Sequence, residues 1–145
     1  MQEESMVVSH TLELHTKGHT EPHDLTDQVA RLVRQSGVSE GAVILFTPSS
    51  TSALTTIEFE SGALEDLRQA LERIAPSDAD YLHNLRWGDG NGHAHLRAAL
   101  MGPSLAIPIQ KGRLTLGTWQ QILFLDFDIR PRTRRIIVQI LGNGV

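Results

Sequence analysis

The chain has 145 residues, of which 40% are hydrophobic and 21% charged, and its formal net charge is −4. That balance predicts one globular domain over 1–145 with a sizeable core rather than a disordered chain. The negative sign argues against a nucleic-acid partner held by phosphate neutralisation. The lack of cysteine excludes disulfides and thiolate metal sites.

Met1-Gln2-Glu3-Glu4 is acidic where a signal peptide starts basic, and no apolar run is long enough to span a bilayer. No membrane partner and a cytoplasmic location are therefore expected. Val8, His10, Leu12 and Leu14 alternate with Ser9, Thr11, Glu13 and His15 as in a half-buried strand, and Gly18 to Pro22 breaks the pattern. Leu25, Val29, Leu32 and Val33 then fall at helical spacing, with Asp24 or Thr26 to cap and Gly37 to stop the helix. Ala42 to Phe46 reads as a short buried strand, and after Pro48 a second extended run carries Leu54, Ile57 and Phe59. Leu64, Leu67, Leu71 and Ile74 mark a second helix ended by Pro76.

Residues 81–92 are polar, aromatic and glycine-rich together, which predicts a structured loop. A short helix follows over Ala94 to Leu100, closed by Gly102-Pro103. Leu105–Ile109 and Arg113–Leu116 flank Gln110-Lys111-Gly112 as a hairpin, and Gln121–Phe127 and Arg135–Leu141 supply two more strands. Strands joined by short turns predict an α+β fold: a β-rich sandwich of antiparallel or mixed sheets with two to three flanking helices.

Four groups can carry chemistry. Among seven histidines, His83, His93 and His95 lie close in sequence, and imidazole is both a common metal ligand and a proton carrier near neutral pH. If His93 and His95 share a helix they point nearly opposite ways and cannot share one ion. The preferred pairing is therefore His83 with His95, helped by Asn91 or Asp89, against the plainer reading of solvated or capping imidazoles. Gly88-Asp89-Gly90-Asn91-Gly92 runs into a helix start, so Gly90 and Gly92 offer backbone amides to an anion, or simply make a turn. Glu58 with Glu60, and Asp126 with Asp128, share a face if their runs are strands. The aspartates have Arg130, Arg132, Arg134 and Arg135 at hand for phosphate recognition or for an ion-pair network between subunits. Trp119 can stack on a ligand ring, or pack in a core or subunit interface.

Several stretches together resemble the YjbQ family. They are Ser-Thr-Ser-Ala-Leu-Thr-Thr-Ile-Glu ending at Glu58, Tyr81-Leu-His83, Asn91-Gly-His-Ala-His95-Leu, and Gly102-Pro-Ser-Leu-Ala-Ile-Pro. Gly112-Arg-Leu-Thr-Leu-Gly-Thr-Trp-Gln-Gln and Asp126-Phe-Asp-Ile-Arg-Pro-Arg132-Thr-Arg134 continue the match, which is strongest over 43–142. The resemblance implies a β-rich sandwich assembled as a homotrimer with sites near subunit boundaries. It also implies the activity label secondary thiamine-phosphate synthase, and functional roles for His83, Asn91 and His95. The chain departs from the common pattern after Pro48, where Ser49 stands for histidine, and before Glu58, where Ile57 stands for asparagine. A third histidine ligand is then missing unless His93 supplies it.

The expectation that follows is an enzyme acting on small phosphorylated molecules. His83, His95 and His93 are its candidate ligands for zinc, manganese or magnesium, and His83, His95 and Asn91 its catalytic candidates. Arg132, Arg134, Gly90, Gly92 and Trp119 are expected to hold the substrate. The rival expectations are a non-catalytic trimer binding a metal or small anion, and a trimer whose histidines and arginines are structural.

Overall fold

A computed structural model describes residues 5–144; residues 1–4, on which the signal-peptide expectation rests, and residue 145 lie outside the described residues. The chain order is β1 (Ser5–Thr16), β2 (Glu21–Asp24), α1 (Thr26–Ser36), β3 (Val38–Phe46), β4 (Ser52–Ile57) and α2 (Ser61–Ile74). It continues with α3 (Leu82–Trp87), α4 (Gly92–Met101), β5 (Ser104–Gln110), β6 (Arg113–Leu114), β7 (Gln121–Asp126) and β8 (Arg132–Gly144). The alternation in β1 and the helical spacing in α1 form as the residue pattern predicts. The apolar run in β3 instead forms a strand buried on one face only, with Ile44 and Phe46 exposed because, among the described residues, nothing packs on the outer face of its sheet.

Every strand pairing is antiparallel. One sheet has the order β1-β8-β3-β5-β6 and the other β2-β7-β4. Leu54, Ile122 and Phe124 of the smaller sheet pack with Val43, Leu45, Val138 and Ile140 of the larger, and Leu25, Val29 and Val33 beside α1 fill the same core. The opposite face of the smaller sheet carries Ala53, Leu123, Leu125 and Phe127 against Leu71 of α2 and Ala94 and Ala98 of α4. The smaller sheet is thus buried on both faces, which is why β7 reads as an unbroken apolar run. The larger sheet leaves its outer face uncovered, with Val7, Ile44, Phe46 and Ile137 exposed.

Local chemistry fixes the joints. The Asp24 carboxylate accepts from the Thr26 amide at 2.9 Å and its hydroxyl at 2.6 Å, so of the two candidate caps Asp24 serves α1. Lys111 (φ 52°) and Gly112 (φ 74°) make the two-residue turn between β5 and β6, where a primed turn needs positive φ at both positions.

Three expectations need correction. The break expected over Gly18 to Pro22 is shorter: Pro22 lies within β2, an edge strand, where a missing N–H costs no interior ladder bond. Residues 82–87 are helical rather than loop, stopped by left-handed Gly88, so among the described residues four helices flank the sheets instead of two to three. Glu58 and Glu60 do not form a strand-borne pair, because β4 ends at Ile57. Glu60 instead caps α2, accepting from the amides of Gly62 at 2.7 Å and Ala63 at 2.8 Å, and these bonds hold its carboxyl below the usual range.

Candidate functional site

The ends of β1 and β7 and the starts of β4 and β8 meet at one edge of the molecule, where Thr16 pairs Arg132 and Ser52 pairs Asp126. Asp126 and Asp128 are buried there, and Arg134 crosses to meet them. Its Nε lies 2.7 Å from Asp126 Oδ2 and its Nη2 2.9 Å from Asp126 Oδ1, a two-pronged pair. Nη1 donates to Ser49 Oγ and Nη2 also to Thr51 Oγ1, both at 2.8 Å. Thr16 donates to Asp126 at 2.6 Å. Burial pushes the Asp128 carboxyl up, but bonds from the Arg130 amide, Asn91 and Thr51, with the Arg132 charge, outweigh it and hold the group below its ordinary value. The aspartate pair therefore meets arginines within one chain. Gly18 lets the β1–β2 loop cross this strand end: it has φ +83°, and a Cβ there would lie 2.1 Å from the Asp128 carbonyl oxygen.

Beside this scaffold, α3 and the start of α4 bring His83, Asp89 and His95 together, with one ligand atom from each within 4.8 Å of the others. His83 Nδ1 is 3.3 Å from Asp89 Oδ1, and the two imidazole centroids are 4.2 Å apart. Burial lowers the His95 pKa and the neighbouring His83 adds to that, so His95 favours the neutral form that binds a cation. Two imidazoles and a carboxylate are a donor set for zinc or manganese. An ion about 2.1 Å from each donor wants donors about 3.4 Å apart, a spacing within reach of small side-chain rotations. The residues present fit a divalent cation.

His95, Asp89 and Asn91 share a cleft of about 510 Å³ with Ser49, Thr51, Asp128, Arg132 and Arg134. Arg132 is 43% exposed and pairs with Asp128 through Nε, at 3.2 Å. Asn91 is only 5% exposed, and both ends of its amide are engaged: Nδ2 donates to Asp128 Oδ1 and Oδ1 accepts from the Ile129 amide. Its position in the cleft wall is that of a strut.

Other expected site residues go elsewhere. The Gly92 amide donates to Asn84 Oδ1 at 2.9 Å and the residue packs against Tyr81, so it offers nothing to an anion. Gly90 keeps φ +71° in the loop next to Ile129. Trp119 is 73% exposed in the β6–β7 connection, where Gln120 bonds Thr56, toward the end of the β4–β7 ladder opposite Asp126. Ile57 lies at that far end too, whereas Ser49 lines the cleft.

His93 does not join the cation group. It and His95 both lie in α4, two positions apart, and His93 is 3% exposed near Arg97 and Glu72. The residue pattern did not single out Arg97. This buried arginine donates to the Ala75 carbonyl that ends α2, to Thr20 Oγ1 at 2.9 Å and to Glu72 at 2.6 Å, locking α4 onto α2. Its only legible sign is a cation on the apolar face of a helix.

Burial lowers the His93 pKa and the Arg97 charge pushes the same way. The stability linked to neutral His93 is present above the unfolded value of about 6.5 and is lost as pH falls through the lower folded value. The melting temperature is therefore expected to drop between about pH 7.5 and about pH 5, and to drop less in His93→Gln. An undiminished drop in that variant assigns the pH dependence to other groups.

The family model described as UPF0047 protein YjbQ-like matches residues 10–143. A UPF0047 protein of Archaeoglobus fulgidus is 45% identical over 130 residues, 90% of this chain and 98% of that one. The UPF0047 protein YugU of Bacillus subtilis is 31% identical over 91% of this chain and 98% of its own. Among solved structures, a YbjQ-like protein of unknown function from Sulfolobus solfataricus superposes with a TM-score of 0.91 at 34% identity, covering 96% of this chain and 99% of that one. An uncharacterized conserved protein of the same family from Clostridium acetobutylicum gives 0.82 at 37% identity, with 90% and 98% covered.

Proposed function

The chain belongs to the UPF0047 protein YjbQ-like family, and from that premise we propose that it is a divalent-cation-dependent enzyme acting on small phosphorylated molecules. The observation that carries this reading is the triad of His83, Asp89 and His95, its donors within 4.8 Å of one another, with His95 and Asp89 lining a cleft that also holds Arg132. His83 and His95 hold the cation, and Asp89 takes the third place expected of His93. When bound, a divalent ion supplies Lewis-acid polarisation of a phosphoryl oxygen. Arg132, the more exposed of the two lining guanidinium groups, meets the phosphate, and Asn91 and Arg134 keep Asp128 and the Ser49–Thr51 loop in position.

The coupling of a pyrimidine-methyl diphosphate to a thiazole phosphate, the secondary thiamine-phosphate synthase reaction, is one reaction of this class. Its departing diphosphate needs the charge neutralisation that this cleft can offer. We place the enzyme in the cytoplasm. We also infer a homotrimer, supported by the uncovered outer face of the larger sheet, where Phe46 pairs Ile137 in register and both side chains are exposed. Sedimentation velocity should read three chains for the wild type and fewer for Phe46→Lys; a monomeric wild type removes the trimer.

The test of the function is elemental mass spectrometry on the natively purified protein, followed by phosphate release from a panel of monoesters and diphosphates with added manganese. Near-stoichiometric metal is expected, lost in the His83→Ala, His95→Ala double variant together with turnover. A folded wild type that stays metal-free after dialysis against zinc, manganese and magnesium overturns the reading. A non-catalytic trimer binding a cation or small anion is the second reading. It is favoured by the pairing of every Arg134 nitrogen inside the chain, which leaves fewer cationic donors for a reacting group. Metal and phosphate binding without turnover on any panel member selects it.

A further inference from the structure

One pair of side chains beside the cation triad has no part in the reading above. Arg86 and Trp87 form the last turn of α3, three and four positions after His83 and three and two before Asp89. On a helix, positions i+3 and i+4 lie on the same face as i, with Cβ atoms about 5–6 Å away. The Arg86 guanidinium carbon lies 5.5 Å from the Trp87 ring centroid, a cation–π pair. Trp87 nevertheless remains 65% exposed, so the guanidinium does not cover it. Gly88 then turns the chain left-handed and delivers Asp89 to His83.

A large open indole and a spare cation are thereby tied to the same short segment that supplies two of the three cation ligands. The cleft itself has no aromatic wall other than the His95 imidazole among the described residues. Trp119, the ring expected to stack, stands toward the far end of the β4–β7 ladder. We propose that Arg86 and Trp87 are the second half of the ligand site: Trp87 stacks on a planar heterocycle whose phosphate is held at the His83–Asp89–His95 end, and Arg86 shares that phosphate charge. The subsite rests on the reading of the cleft as a phosphate site and adds to it the two residues that hold the ring of a phosphate ester carried by a flat ring system. An aromatic platform of this kind contributes through the π-face of the ring and is tolerant of its exact identity.

The test uses the full-length protein loaded with manganese, with Trp119→Phe as background so that Trp87 is the sole tryptophan and is excited selectively over Tyr81. Adenosine 5′-monophosphate and ribose 5-phosphate are the probes, identical at the phosphate and different in the ring. Adenosine 5′-monophosphate should bind about fivefold to a hundredfold more tightly and change the Trp87 emission. Trp87→Ala should erase that ratio while manganese content and ribose 5-phosphate affinity stay as in the parent, and Trp87→Phe should restore part of it. Equal affinities in the parent, a ratio that survives Trp87→Ala, or no binding of either probe overturns the subsite. Emission that ignores both probes but shifts on protein dilution assigns Trp87 to a subunit contact, which also overturns it. Ring-dependent binding that needs Trp87 but no metal upholds the platform while removing the cation reading, so the two failures are distinguishable.

Discussion

Arg134→Ala is expected to destabilise the protein by about 3–5 kcal/mol, enough to consume much of the stability of an ordinary domain. The size follows from what the substitution leaves behind. The Asp126 side chain is fully buried and that of Asp128 is 3% exposed, and Arg134 is the guanidinium that reaches both. With it gone, Asp126 keeps only Thr16 and the Asp128 amide as partners, and the Ser49 and Thr51 hydroxyls lose the guanidinium that donates to both. An uncompensated buried carboxylate costs far more than the pair contributed when intact. Arg134→Lys should recover only part of the loss, because an ammonium cannot span Asp126 and the two hydroxyls in one plane. Urea unfolding checks this, with a midpoint lowered by more than about 1 M. A loss below about 1 kcal/mol would show that water enters and solvates the carboxylates. Arg134→Met with Asp126→Asn should cost less than the single Arg134→Ala change, since it removes both charges together.

How far this edge could be read in advance depended on the range of each interaction. The alternation in β1, the spacing in α1 and the hairpin expected around Gln110-Lys111-Gly112 are local patterns and all form, although Gln110 joins the ladder, which leaves Lys111-Gly112 as the turn, and β6 stops at Leu114. The segment 82–87 was misread because the glycines after it resemble loop composition, while its helix is a single short stretch secured by its C-terminal Gly88 and by packing on α4. His83 and His95 were legible as residue types, and Asp89 as one of two helpers. The choice of Asp89 over His93 required knowing that α4 begins at Gly92, which places His93 and His95 in one helix. Arg132 and Arg134 were legible as cations near aspartates. That Arg134 is spent internally and Arg132 is not depends on β1 and β8 pairing across more than a hundred residues of sequence. Arg97 was invisible for the same reason, since Thr20, Glu72 and Ala75 reach it only in the folded chain.

Asp89→Asn is expected to shift the affinities of the two proposed ligands of the cleft, a divalent cation and a phosphate, in opposite directions. The cleft is lined by the carboxylates Asp89 and Asp128 and the guanidinium groups Arg132 and Arg134, and with Asp126 buried behind Arg134 this cluster carries one net negative charge. Asp128 keeps its charge because its hydrogen bonds hold its carboxyl below the usual range, and His95 favours neutrality. A phosphate approaching the metal-free protein therefore meets repulsion, and a divalent cation reverses the sign. Phosphate affinity should be conditional on the cation, and by linkage phosphate should raise cation affinity by the same factor. Removing the Asp89 charge deletes one of three ligands, so manganese affinity should fall by about a hundredfold. The same change brings the cleft to neutrality, and phosphate binding in the absence of metal should improve by about fivefold. Isothermal titration of phosphate, with and without manganese, into wild type and Asp89→Asn measures all four corners. Phosphate bound equally well by the metal-free and manganese-loaded wild type would sink the coupling. A variant that loses manganese without gaining metal-free phosphate would show that the cleft charge is screened rather than felt by the ligand.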